Sequence, residues 1–253
     1  LGFVPKNVLS LRLTLHGSRY LTNGSGLNID AMNSFYTDVL EKIERIPGVD
    51  SAGMGGNPLA RRTGSSFHVE GRQEPVACGF DSTSPNYFRA LRIPLLSGRF
   101  FTRNDTDKAP KVAIVNRTMA QRSWPGEDAV GKRITTGNPM KANWITVVGV
   151  VEDVRSSGLE RDPKPEVFIP YLQKPGVFSG FIVVRVHGDP TSFASAVRGA
   201  VWSVDNNQPV DSFATMEQLL SRAMTHRRFS LVLIGIFSAL AFLLAAVGVY
   251  GVM

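Results

Sequence analysis

The sequence predicts an α+β fold in which one sheet-and-helix domain is interrupted by an inserted mixed α/β subdomain and followed by a stalk helix and a transmembrane helix. Three observations predict it. A strand-and-helix pattern near the start of the chain returns after Phe181, as two halves of one split domain would. Between them lie continuous apolar strands with a short helix and many turn residues. Finally, every charged residue precedes Phe229, and the run from Phe229 to Met253 has none.

In the first half, residues 1–78, Val8, Leu9, Leu11, Leu13 and Leu15 alternate with Ser10, Arg12 and Thr14. That is the period of a half-buried strand. Ile29, Met32, Phe35, Tyr36, Val39, Leu40, Ile43 and Ile46 recur at steps of three and four and form one helical stripe, with Asp30 the expected N-cap and Pro47-Gly48 the stop. Val49 to Met54 and Ser66 to Val69 suit short strands around a glycine-rich turn. In the insertion, residues 79–164, Val112 to Val115 and Ile145 to Val151 are strands, and a helix from Asn116 to Trp124 stops at Pro125-Gly126. The second half, residues 165–214, has a strand at Phe181 to Val186. A helix follows, capped by Asp189-Pro190 and carrying Phe193, Ala196, Val197, Ala200, Val201 and Val204, and Pro209 to Phe213 can return as a strand. No repeat of solenoid period is present.

Thr215 and Gln218 have capping-box spacing, and Met216, Leu219, Leu220 and Met224 follow at helical intervals. No Pro or Gly intervenes before Phe229, so residues 215–228 are expected to be a stalk continuous with a transmembrane helix over 229–253. As a helix the charge-free run spans about 37 Å, against about 30 Å for a bilayer core. Gly235, Ser238, Ala241, Ala245 and Gly248 give it a small-residue face on which another helix can pack closely. A plain anchor is the alternative to a stiff stalk.

Of the 253 residues, 28 are Lys or Arg and 21 Asp or Glu, a net charge of +7. The basic residues are scattered singly, without interleaved aromatic rings, which argues against nucleic acid as a partner. Cys78 is the only cysteine, so no intrachain disulfide or thiolate metal cage can form, and a small buried hydrophobe is the expected role. Compartment is not fixed by that, since a large extracytoplasmic domain can dispense with disulfides. Leu1 is not an initiator and no signal peptide follows it, so the chain is expected to be a fragment or a processed product.

Motifs for chemistry are absent. Gly126 to Lys132 matches the first seven positions of a phosphate loop, but Arg133 replaces the Ser or Thr that would bind magnesium, and Pro125 precedes it where a buried strand should. Gly53, Gly55 and Gly56 lack the third glycine and helix of a dinucleotide fingerprint. His16, His68, His187 and His226 lack metal-ligand spacing. Glu152, Asp153 and Glu160 make no assured carboxylate pair, since adjacent strand residues point to opposite faces. The Asn-x-Ser/Thr matches at Asn23, Asn104 and Asn116 arise readily by chance. No catalytic, metal-binding or cofactor-binding residue is nominated, and no cofactor is expected.

Five blocks carry a resemblance: Ser84-Pro85-Asn86-Tyr87-Phe88; Ile93 to Phe101; Val112 to Asn116; Trp124-Pro125-Gly126-Glu127-Asp128; and Val147 to Val154. In this order they resemble the MacB-type periplasmic core domain, and Arg227-Arg228-Phe229 through Gly251 resembles the opening of an FtsX-like permease domain. The resemblance implies a bacterial ABC-transporter permease with a Porter subdomain (1–78 and 165–214) interrupted by a Sabre subdomain (79–164). It implies residues 1–228 on the periplasmic side of the cytoplasmic (inner) membrane, although Arg227 and Arg228 sit opposite to the usual positive-inside bias. It also implies no catalysis in this chain, a cytoplasmic ABC ATPase on a separate domain or chain whose motion is transmitted to the periplasm, and a homodimer or permease pair. The lipid bilayer and a periplasmic adaptor or substrate protein complete the expected partners. A membrane-anchored regulator of an extracytoplasmic partner, such as a cell-wall hydrolase, is the alternative, and a tethered enzyme a third.

Overall fold

The computed structural model describes residues 1–22, 26–60, 62–136, 143–155, 162–173, 179–210 and 213–222, with Phe237, Ser238 and Ala241. The chain divides into two units, Leu1–Met216 and Glu217–Met253. The first begins with β1 (Val8–Thr14), α1 (Ile29–Glu44), β2 (Val49–Gly55), β3 (Thr63–Val69) and β4 (Val76–Thr83). It continues with α2 (Tyr87–Leu91), β5 (Leu95–Gly98), β6 (Val112–Asn116), α3 (Arg117–Ser123), β7 (Arg133–Thr135) and β8 (Ile145–Val151). It ends with β9 (Glu166–Pro170), β10 (Ser179–Val186), α4 (Ala194–Trp202) and β11 (Phe213–Thr215).

The first sheet has the order β11-β1-β10-β2 and is antiparallel throughout. Strands from the two ends of the sequence therefore alternate, as an interrupted domain requires. Leu9, Leu11 and Leu13 of β1 and Ile182 and Val184 of β10 share one core with Met32, Phe35, Tyr36, Val39 and Ile43 of α1 and Val197 and Val201 of α4. Each such large side chain, fully buried, contributes about 1.5–3 kcal/mol.

Two local expectations are corrected. The N-cap of α1 is Asn28, whose Oδ1 accepts from Ala31 N–H at 3.1 Å. Asp30 lies inside the first turn, where its charge favours the positive helix end instead. The returning strand starts at Phe213 and not at Pro209, which has no N–H for a ladder. The turn before it is held by Gln208, whose side chain exchanges hydrogen bonds with the backbone of His16 at 2.9 Å each way.

The second sheet runs β5-β8-β6-β9-β4-β3-β7, and β7 also pairs with β8, which closes six strands into a ring. Phe67, Val115, Ile134, Val147 and Val167 pack inside it with Met119 and Trp124 from α3 and its C-cap. The strands of this sheet lie between Thr63 and Pro170, and Gly79 and Glu166 face each other in the parallel β4–β9 ladder. Asn116 is buried and caps α3 by accepting from Met119 N–H at 2.9 Å, so its glycosylation match is internal.

Residues 216–222 are helical, directly after the end of β11. Among the described residues no helix is long and apolar enough to cross a membrane. The expected membrane helix, with Phe229 and Met253 as its ends, lies outside the described residues except for Phe237, Ser238 and Ala241, which are helical. Gly235, Ala245 and Gly248 of the small-residue face lie outside as well.

Candidate functional site

The candidate site of the first unit is the seam where α2 and the second sheet meet the first sheet, rich in close contacts and buried polar groups. Its origin is two glycines at alternate positions of β2. A Cβ on Gly53 would stand 2.4 Å from Tyr87 Cα, and one on Gly55 would stand 2.7 Å from the Tyr87 ring. Glycine inside a strand permits this close approach of another element. Next to it, Met54 N–H donates to Ser84 Oγ at 2.9 Å, and Ser84 N–H returns a bond to Met54 O at 2.7 Å.

A buried ionic cluster lies where the chain crosses from β2 to β3. Arg62, with a side chain only 3% exposed, pairs with Asp81, and its Nε lies 3.0 Å from Glu166 Oε2. The guanidinium also lies 4.7 Å from the Phe168 ring centroid, a desolvated cation–π contact. Burial alone would favour its neutral form, but Tyr87, Glu166 and Asp81 outweigh burial and hold its pKa above the ordinary value. Asp81 Oδ2 additionally accepts from Gly56 N–H at 2.7 Å, while Tyr87 OH donates to Gly56 O at 2.6 Å. Gly56 of the crossover is thus held through both its N–H and its C=O.

A second arginine closes the other end of the seam. Arg185, next to the last residue of the apolar strand β10 and 3% exposed, donates from Nε to Ala90 O, from Nη1 to Lys6 O and from Nη2 to Val4 O, at 2.7, 2.8 and 2.7 Å. The planar guanidinium fork suits three divergent carbonyls in a way that Lys cannot. Along the outer rim, Asn86 Nδ2 donates to Glu44 Oε1 at 2.6 Å, Arg103 pairs with Glu41 at 2.7 Å, and the Thr37 and Tyr171 hydroxyls meet at 2.6 Å. These contacts bind the two sheets into one body.

The topology also brings both ends of the first sheet's outer path together. Thr215, the last residue of β11, lies opposite Leu9, next to the first residue of β1. Directly paired residues in an antiparallel ladder are about 4.5–5.5 Å apart, so the chain arrives and leaves at one end of the sheet.

Gly53, Gly55 and Gly56 apart, the motif-like residues among the described residues fall elsewhere and are not gathered into a reacting group. Gly126 and Gly131 are turn residues with φ of +80° and +85°, and Lys132 pairs with Glu127. Asp153 accepts from Thr118 N–H and Oγ1 at the start of α3, and Glu152 pairs with Arg117 at 2.6 Å. Glu160, Asn23 and His226 lie outside the described residues. Cys78 is buried and free beside a cleft of about 590 Å³, its thiol pushed up to about 12 by burial and by Glu166. Among the described residues no three His, Cys, Asp or Glu could hold a metal ion. The purified chain is accordingly expected to show no saturable binding of fluorescent ATP; a binding signal that Lys132→Ala abolishes would contradict this.

Sequence reasoning missed Arg62 and Arg185 because the partners of each are distant in the sequence. The signal that was available is the Gly53-x-Gly55 alternation, weighed and set aside as a dinucleotide fingerprint when it marks a closely packed helix.

The two sheets form one interlocked body, and the start of β1 and the end of β11 lie side by side at one end of the first sheet. The chain belongs to the MacB-like periplasmic core domain family, whose profile matches residues 10–200. A Macrolide export ATP-binding/permease protein MacB from Wolinella succinogenes is 23% identical over 172 residues, covering 68% of this chain and 26% of the relative. One from Marinobacter nauticus is 29% identical over 91 residues, covering 36% of this chain and 14% of the relative. The chain thus spans about a quarter or less of these relatives' length. The fold is shared with the crystal structure of the periplasmic region of MacB from Actinobacillus actinomycetemcomitans. The TM-score there is 0.57 at 14% identity, covering 87% of this chain and 94% of that one.

Proposed function

We propose that this chain is the periplasmic part of an ABC-transporter permease, and that it passes the ATP-driven motion of a separate cytoplasmic ATPase to the periplasm for export of a substrate. The observation that carries the reading is the placing of Thr215 beside Leu9, because a domain inserted between two membrane helices must receive and return the chain on one side. The first sheet with α1 and α4 takes the Porter-like role, and the ring of the second sheet takes the Sabre-like one. Residues 215–228 form the stalk and 229–253 the membrane helix in the inner membrane, with Gly235, Ser238, Ala241, Ala245 and Gly248 packing on another helix of the same permease or of a second copy. A periplasmic adaptor or substrate protein is the further partner of this reading.

Arg72, exposed in the turn between β3 and β4, gives a direct test in the full-length protein. A membrane-impermeant maleimide should modify Arg72→Cys in cells whose outer membrane alone is made permeable, and should leave wild-type protein, with Cys78 buried, unmodified. Modification of Arg72→Cys only after the inner membrane is broken would place the domain in the cytoplasm and reject the reading.

A further inference from the structure

The two places where the chain joins this body are attached to it very differently. At the outgoing side, β11 pairs with β1 alone, over Phe213–Thr215, and Ser10 Oγ adds a bond to Ala214 O at 2.8 Å. That attachment reaches one edge of the first sheet and, through the Arg198 guanidinium 5.2 Å from the Phe213 ring centroid, α4 beside it, but not the seam. At the incoming side, the residues before β1 run along the seam itself. Val4 N–H donates to Leu91 O at 2.9 Å, at the end of α2, and Arg155 N–H donates to Leu1 O at 3.1 Å, beyond the end of β8. Phe3 is 6% exposed.

Gly2 is the residue that allows this docking. Its φ is +79°, and a Cβ there would stand 1.8 Å from Asp153 O. Asp153 in turn holds the first turn of α3 through Thr118. Arg185 completes the arrangement, because its guanidinium takes the carbonyls of Val4 and Lys6 together with that of Ala90 in α2. A displacement of the incoming segment is therefore received by the central strand β10, by α2 and by the segment after β8, on both sides of the seam.

We infer that residues Leu1–Lys6, fixed by Arg185 and by the close fit of Gly2, are a principal mechanical attachment of the domain and not a linker. This rests on the transport reading above, and the test is arranged so that the two can fail separately. Full-length protein and its ATPase are placed in phospholipid vesicles carrying an acceptor lipid, with a donor fluorophore on Arg72→Cys. Gly2→Ala should retain the fold, raise hydrogen exchange at the Val4 and Arg155 amides at least tenfold, and reduce the ATP-driven change in energy transfer severalfold while ATP hydrolysis continues. Arg185→Lys, which keeps the charge and loses the fork, should act in the same direction; where it does not fold, Gly2→Ala carries the test.

Unchanged exchange at Val4 and Arg155 in Gly2→Ala overturns the attachment, as does raised exchange with an undiminished ATP-driven signal. If a break in the helix after Thr215 abolishes the signal while Gly2→Ala leaves it whole, only this inference fails. If neither change affects the signal, both the attachment and the mechanical reading are rejected.

Discussion

Arg62→Met should lower the stability of the Leu1–Met216 unit by about 3–5 kcal/mol, the range for removing one partner of a buried ion pair. The substitution keeps most of the apolar stem but strands Asp81 and Glu166, whose side chains are 17% and 4% exposed. In a unit of this size that loss lowers the melting temperature by roughly 6–20 °C. Asp81 should keep its bond to Gly56 N–H, so the effect begins with unneutralised charge and not with a broken crossover. The triple replacement Arg62→Met, Asp81→Asn, Glu166→Gln should recover much of the loss, because neutral groups are far less costly to bury than unpaired charges. Arg133, paired with Glu70 at a half-exposed site, is the control: Arg133→Met should leave the melting temperature nearly unchanged, since exposed ion pairs contribute little. A thermal melt of Arg62→Met within about 2 °C of wild type, on the order of 1 kcal/mol or less, would show that the cluster does not hold the seam.

The parts of the fold written in local periodicity were legible, and the parts made by distant pairing were not. The leucines of β1 alternate as a strand should, but Ser10 on the opposite face is also buried, because its hydroxyl bonds Ala214 O from a strand that arrives more than two hundred residues later (|i−j| = 204). The stripe of α1 fixed its helix and its buried face, while the cap moved to Asn28 because a side-chain geometry, and not composition, selects it. Ring closure in the second sheet was hidden because β7 has three residues and pairs two apiece with β3 and β8. No periodicity can be read from a strand that short. The family resemblance was carried by blocks such as Ser84 to Phe88, and the structure explains part of it: Ser84 and Tyr87 are the residues that fasten α2 to β2. The seam arginines had no such local signature. The stalk and membrane helix rest on charge and spacing alone, as residues 223–228 and most of 229–253 lie outside the described region.

The central claim is that the domain is moved through the helix that follows Thr215, the end of β11, and continues toward the membrane, so the position to alter is Ala223, in its expected interior. Ala223→Pro removes a backbone donor and kinks the helix at a local cost of about 3 kcal/mol, whereas Ala223→Leu is a comparably good helix former. The direct measurement is the ATP-driven change in energy transfer between a fluorophore at Arg72→Cys and an acceptor lipid, in vesicles holding the full-length protein and its ATPase. Ala223→Leu should retain the change, and Ala223→Pro should lose most of it, on the order of tenfold for a coupling penalty of 1.4 kcal/mol, with insertion and ATP hydrolysis preserved. A correctly inserted Ala223→Pro protein that moves as fully as wild type would contradict the account, leaving residues 215–253 as a tether.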